Sequence, residues 1–162
     1  MVNLEADDPQ FTAAIRDATP YLASLVASAL EFDDLRCATL DIIESAFNSV
    51  AAHGFNPDTV SRVLVALNPQ LFVVWDMAIR EAYFPDDEPN GATYGQFLSV
   101  MRMAALSIAS DARTTHGIDD AAGHISEALD LNPAIPLARF IDEYNWLTLT
   151  RAATAQPSPA SV

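Results

Sequence analysis

Apolar residues recur along most of the chain at the three- and four-residue spacing of an amphipathic helix. Proline, asparagine, aspartate or glycine stands between successive periodic stretches, where helices usually begin and end. No stretch shows the sustained two-residue alternation of a half-buried strand. The pattern therefore predicts an all-α protein, with a single globular domain of about seven helices over residues 1–151 and a disordered tail over residues 152–162.

The longest predicted helix runs from about residue 93 to residue 116. Between Phe97 and Ser110 it carries one charged residue, Arg102, and apolar residues occupy most of its circumference. A helix that is apolar nearly all round is usually buried, so we expect this one at the centre of the domain. Gly117 should end it, because glycine adopts the left-handed conformation at little cost.

The densest apolar run of the chain lies between Asn56 and Phe84. The pairs Asn56-Pro57 and Asn68-Pro69 each combine an N-cap residue with a proline suited to the first helical position, which predicts helices over residues 57–67 and 69–84. A further helix is expected over residues 20–32, and another from Asp33 or Asp34 to Gly54.

One carboxylate, Asp76, stands inside this apolar run. It precedes Arg80 by four residues, so on a helix the two side chains would form an ion pair. A partly buried carboxylate needs hydrogen-bond partners whether its role is structural or chemical. Asp76 is therefore either a structural bracket or a catalytic acid or base.

The order of residues 54–84 resembles part of the helix-hairpin-helix DNA glycosylases, the endonuclease III superfamily. A small turn leads into T-x-x-x-V-L, a break, an apolar pair and then V-x-D-x-x-I-x-R. The resemblance implies that Thr59–Leu67 corresponds to the second hairpin helix and Asp76 to the catalytic aspartate. In that family the carboxylate stabilises positive charge on the sugar or orients the nucleophile. The chain departs from the family in having one glycine in the turn and no lysine for a Schiff base.

The charge balance argues against direct binding of nucleic acid. Twenty-two acidic residues against eight arginines give a formal net charge of -14, and the arginines are scattered without a basic run. Duplex binding needs several clustered cations to neutralise phosphates. The same charge is compatible with a DNA mimic that inhibits a DNA-binding protein.

These observations favour a non-catalytic acidic helical domain that binds or regulates a protein partner, in an oligomeric state that the sequence does not indicate. The first alternative is a helix-hairpin-helix glycosylase-like enzyme that uses Asp76 as its catalytic residue, and the second is the DNA mimic. Large side chains that could anchor a partner are typical of binding sites. The candidate binding residues are Trp75, Arg80, Tyr83 and Trp146, and further aromatic anchors are Tyr21, Tyr94 and Tyr144.

No cofactor or metal site is predicted. His124 shares a helical face with Asp120 and Glu127, which is more typical of a surface ion pair than of the convergent ligand set that a metal requires. The lone Cys37 cannot form an internal disulfide and is expected as a small core residue. The uncharged run from residue 63 to residue 75 is too short to span a bilayer, and no secretory signal precedes the first helix, so a cytoplasmic location is the default.

Overall fold

The structure is a computed structural model that describes residues 9–30, 35–131 and 133–155, and it is all-α. Within these ranges there is no strand, which confirms the predicted fold class. The elements are α1 (Pro9–Leu22), α2 (Cys37–Ala51), α3 (Pro57–Leu67), α4 (Met77–Tyr83), α5 (Gly91–His116), α6 (Ala121–Ala128), α7 (Leu137–Asn145), a π-helical turn (Trp146–Thr150) and α8 (Arg151–Ala155).

Several helix ends follow from local capping. The side chains of Asn56, Asn90 and Asp120 each accept a hydrogen bond from a backbone N–H three residues further on, at 2.9, 3.1 and 2.9 Å. Each bond satisfies one of the orphan N–H groups of a helix start. Gly117 ends α5 with φ at 68°, as predicted.

An aromatic cluster forms the centre of the core, where the first half of α5 packs against α2 and the chain preceding α4. The ring of Tyr94 lies 5.0 Å from that of Phe47 and 5.5 Å from that of Trp75, centroid to centroid. The Tyr94 hydroxyl donates to the Val73 carbonyl at 2.9 Å, and burial raises the pKa of this tyrosine well above its ordinary value. All these side chains are buried, so α5 supports the core with its N-terminal half.

The second half of α5 is not the buried helix that its composition predicts. Its last buried residue is Ala105, whereas Met103 is 63% exposed and Ile108 is 37% exposed. The expectation of a buried central helix therefore holds for one face of residues 91–105, and it is wrong for the residues beyond them. This leaves apolar surface uncovered on α5.

The helix predicted from Pro69 is wrong up to Asp76. Asn68 lies at the C-terminal end of α3, and its side-chain amide donates to the carbonyls of Leu25 and Ser28 at 2.7 and 3.1 Å. Residues 69–76 form a turn and an extended connection, and the next helix begins only at Met77.

The helix predicted over residues 20–32 is also wrong within the described residues. Helix α1 continues through Pro20 to Leu22, and residues 23–30 form turns. The Leu30 N–H donates to the Gln70 carbonyl at 3.0 Å, so this segment pairs with the chain after α3. The predicted caps Asp33 and Asp34 lie outside the described residues.

Two smaller predictions change at the ends of helices. Cys37 is exposed at the start of α2, not a core residue. The chain stays helical to Ala155, so the predicted disordered tail does not begin at Ala152. The rest of that prediction, residues 156–162, lies outside the described residues.

In the part of the chain that the structure describes, no helix combines the length and the apolar content of a membrane span.

Candidate functional site

Asp76 is the N-cap of α4 and is nearly buried, with 6% of its surface exposed. One carboxylate oxygen accepts from the Ile79 backbone N–H at 3.1 Å, and the other accepts from the Thr150 hydroxyl at 2.7 Å. Both oxygens of Asp76 therefore have partners. The carboxylate ties the start of α4 to the π-helical turn at the other end of the sequence.

Arg80 does not form the predicted ion pair with Asp76. Its guanidinium pairs with Asp58 on α3 and donates to the Trp75 carbonyl at 2.7 Å. The same guanidinium lies 5.5 Å from the centre of the Trp75 ring, within the range of a cation–π contact. Arg80 thus fastens α4 to α3.

Trp75 is fully buried beneath Arg80. Its ring lies 6.0 Å from that of Phe97, and its indole N–H has no acceptor within the described structure. Trp75 is inaccessible to another molecule in this conformation, as is the buried Tyr94. Their positions do not favour the partner contacts predicted for them.

Asp142 on α7 is the second buried carboxylate in this region. It accepts from the Val74 backbone N–H at 2.7 Å and pairs with Arg139. Burial raises its pKa, and the hydrogen bond from Val74 and the charge of Arg139 only partly oppose that effect. Asp142 thereby holds the extended connection before α4 against α7.

An open cavity of about 300 Å³ lies between these groups, and we call it the Asp76 cavity. The sequence pointed to two of its residues, Asp76 and Trp146, and the structure brings them together. Trp146 is 46% exposed, and the Arg151 guanidinium lies 6.0 Å from its ring. The lining residues are Arg62, Val74, Asp76, Ile79, Arg139, Asp142, Glu143 and Trp146.

Sequence reasoning missed Arg62, Arg139 and Asp142 in this cavity. The three-residue spacing of Arg139 and Asp142 was the available signal, but it is also typical of a surface ion pair. Arg62 is exposed and, among the described residues, has no hydrogen bond or ion pair. The charge of Arg62 still acts on the cavity wall, because it helps to lower the pKa of Asp142 against the effect of burial.

A second cavity, of about 390 Å³, lies between α5 and α7, and we call it the apolar groove. Tyr83 is 37% exposed there, its hydroxyl donates to the Asn145 side chain at 3.3 Å, and Tyr144 is 64% exposed. Partial burial, followed by the nearby Tyr144, raises the pKa of Tyr83. The lining residues are Tyr83, Met101, Ala104, Ser107, Ile108, Phe140, Ile141, Tyr144 and Asn145.

Across residues 9–30, 35–131 and 133–155, no three His, Cys, Asp or Glu side chains converge in a way that could hold a metal ion. His124 is exposed on α6.

Comparison with known proteins found no matching family model, no matching curated protein and no matching solved structure. The resemblance of residues 54–84 to the helix-hairpin-helix glycosylases is neither supported nor contradicted by these comparisons, and it stays a prediction.

Proposed function

We propose that this chain is a non-catalytic helical domain that binds or regulates a protein partner, and that the apolar groove is its binding surface. The observation that carries this proposal is the exposure of Tyr83, Ile108 and Tyr144 around one open cavity. Single exposed apolar residues are common, but a set that shares a concave surface is typical of interaction sites.

The residues of the groove suit a protein partner. Tyrosine presents a large rigid ring with a polar end, and such residues dominate the binding energy of many interfaces. The walls of the groove are mainly apolar, and the buried Met101 and Ile141 form its floor. A partner side chain that enters the groove would bury surface that no described residue covers.

The geometry of Asp76 supports a structural role for the predicted catalytic residue. Its two oxygens accept hydrogen bonds from the backbone of α4 and from Thr150. These bonds are what a helix cap and a tie between distant segments require. These two hydrogen bonds explain why the Asp76 carboxylate is buried, without a catalytic role.

The test combines site-specific cross-linking with binding measurements. A photo-reactive phenylalanine derivative replaces Tyr144 in the full chain expressed in its native host, and the control carries it in place of Leu129, which is 59% exposed and lies outside the groove. We expect a defined protein to be trapped at position 144 only. That protein is then purified and titrated with the wild type, Tyr144→Ser and Leu129→Ser.

Tyr144→Ser should weaken binding by about tenfold or more, since truncating an aromatic anchor typically costs over 1 kcal/mol. Leu129→Ser should change the affinity by less than about twofold. The absence of any cross-link, an equal loss for both variants, or a cross-link to a second copy of the chain would overturn the proposal.

A second candidate function is a DNA-processing enzyme that uses Asp76. It is favoured by one observation: Asp76 lies in the wall of an open cavity together with Arg62 and Arg139. Here the test is cleavage of abasic or damaged duplex DNA by the wild type, Asp76→Asn and Thr150→Val. The enzyme hypothesis expects cleavage that Asp76→Asn abolishes and Thr150→Val, which keeps the carboxylate, largely retains. If the wild type leaves all duplexes intact, this second candidate is excluded.

A further inference from the structure

The apolar groove continues into another cavity along α5. This further cavity, distinct from the apolar groove, has a volume of about 320 Å³, and Ile108 lines both of them. It lies between α5 and α6, and we call it the histidine cavity. Its lining residues are Ile108, Asp111, Ala112, His116, Ile118, Ala121, His124 and Ile125.

Both cavities lie on one face of α5. Met101, Ala104, Ile108 and Ala112 are spaced by three or four residues, which places them along one side of a helix. From Met101 to His116 the axis advances by about 22 Å, at 1.5 Å per residue. The two cavities adjoin at Ile108 and together extend along about four helical turns, and we call the pair the depression along α5.

The spacing of the cavities matches the spacing of side chains on a helix. Their midpoints on α5 lie about seven residues apart, or roughly 10 Å along the axis. Apolar side chains at positions i and i+7 of a second helix are separated by the same distance and point in nearly the same direction. An extended strand reaches about 10 Å in three residues, which would turn successive anchors to opposite faces.

Exposed carboxylates occur in the lining of the depression and next to its residues in the sequence. Asp111 lines the histidine cavity. Exposed carboxylates also flank Tyr83, with Glu81 before it and the loop residues Asp86, Asp87 and Glu88 after it. The chain as a whole carries a net charge of -14. Such a field attracts a cationic partner and repels an acidic one.

We infer that the depression along α5 receives an amphipathic helix of a partner protein, with two apolar anchors about seven residues apart and Lys or Arg on its flanks. This inference rests on the proposed function and specifies its partner. The first anchor enters the apolar groove beside Tyr83 and Tyr144, and the second enters the histidine cavity beyond Ile108. Amphipathic helices are recognised in apolar grooves in this way in other proteins.

The probe is a synthetic helical peptide of about 18 residues, with leucines at i, i+4, i+7 and i+11 and lysines on the remaining faces. Two matched peptides serve as controls: one replaces every lysine by glutamate, and one scrambles the leucine positions at constant composition. Each is titrated into the full chain by calorimetry at low and at high salt. We expect the first peptide alone to bind, with an affinity that falls as salt rises.

The protein variants use two exposed apolar residues of the same helix. Ile108 lies where the two cavities meet, whereas Met103 is 63% exposed and lines neither of them. Ile108→Ser should weaken binding of the leucine–lysine peptide by about tenfold, and Met103→Ser by less than about twofold.

Equal binding of the scrambled lysine peptide would overturn the inference, because attraction would then depend on charge alone. So would equal effects of the two serine variants, or a dimer of the chain that Ile108→Ser dissociates in sedimentation. If the protein trapped at position 144 binds through a non-helical segment, the inference fails and the proposed function stands. If no protein is trapped there, the proposed function fails whatever the peptides do.

Discussion

Helix α7 separates the Asp76 cavity from the apolar groove. The two cavities are similar in size, but they differ in how many of their lining groups already have partners within the domain. On the side of α3 and α4, Arg139 and Asp142 pair with each other. Asp142 also accepts from a backbone N–H, and Asp76 accepts from the Thr150 hydroxyl. Towards α5, Tyr144 exposes 64% of its surface beside Ile108. Most polar groups of the first cavity stabilise the fold, whereas the second leaves apolar surface that none of the described residues covers.

The largest effect on stability should come from Asp142→Ala. The change removes the acceptor of the Val74 N–H and the nearer of the two carboxylates that pair with Arg139, the other being Glu143 at 3.8 Å; breaking a buried pair typically costs about 3–5 kcal/mol. Because Arg139 is 33% exposed and water can partly replace the lost partner, we expect the free energy of unfolding to fall by about 2–3 kcal/mol. Urea denaturation measures it. Glu143→Ala is the control and should change stability by less than about 0.5 kcal/mol, and equal effects would contradict the assignment.

A smaller loss is expected for Asp76→Ala. It removes the cap of α4 and the partner of Thr150, so the free energy of unfolding should fall by about 1–2 kcal/mol. Thr150→Val keeps the cap and should cost only about 1 kcal/mol. If both variants were as stable as the wild type in thermal and urea unfolding, Asp76 would not tie the two segments together.

The raised pKa of Asp142 predicts a modest dependence of stability on pH. The native state binds the proton more tightly than the unfolded chain, whose pKa is near 3.8, so ionisation of this group costs the native state stability. As pH rises through 3.8 and then through the raised pKa, this contribution to stability is lost. Compared with Asp142→Asn, which cannot ionise, the wild type should gain relative stability as the pH is lowered through that window. A stability difference that is constant with pH would contradict the raised pKa.

The smallest effect on stability is expected for Tyr144→Ser, on the apolar side of α7. Since this side chain is mostly exposed, the free energy of unfolding should change by less than about 0.5 kcal/mol while partner binding weakens by about tenfold or more. A large destabilisation, measured by urea unfolding of the purified variant, would mean that Tyr144 belongs to the core of the domain.

Local hydrogen bonds explain which helix boundaries were predictable. Asn56 accepts from an N–H group three residues away, and Gly117 adopts its positive φ within the helix end itself. Such interactions involve only neighbouring residues, so they can be read from short motifs. Asp76 was predicted as a buried carboxylate with partners, but its position as a helix cap was not.

The failed prediction after Pro69 has the opposite origin. Asn68 bonds to Leu25, 43 residues away, Val74 to Asp142, 68 residues away, and Trp75 to Ser61, 14 residues away. The partners of Val74 and Trp75 satisfy backbone N–H groups that a helix would otherwise employ, and the Asn68 side chain is bonded to a distant turn instead of capping a helix. A sequence pattern cannot indicate them, because they depend on which distant segments pack together.

The amino-acid sequence by itself determined the helical character of this protein, its acidic charge, the capped start of α3, the end of α5 at Gly117, and the burial of Asp76. Only the tertiary structure decided that Asp76 bonds to Thr150, that Arg80 pairs with Asp58, and that Met103 and Ile108 of α5 are exposed. The physical reason is range: periodicity and caps act over a few residues, whereas partners and exposed faces are set by contacts between segments far apart in the chain.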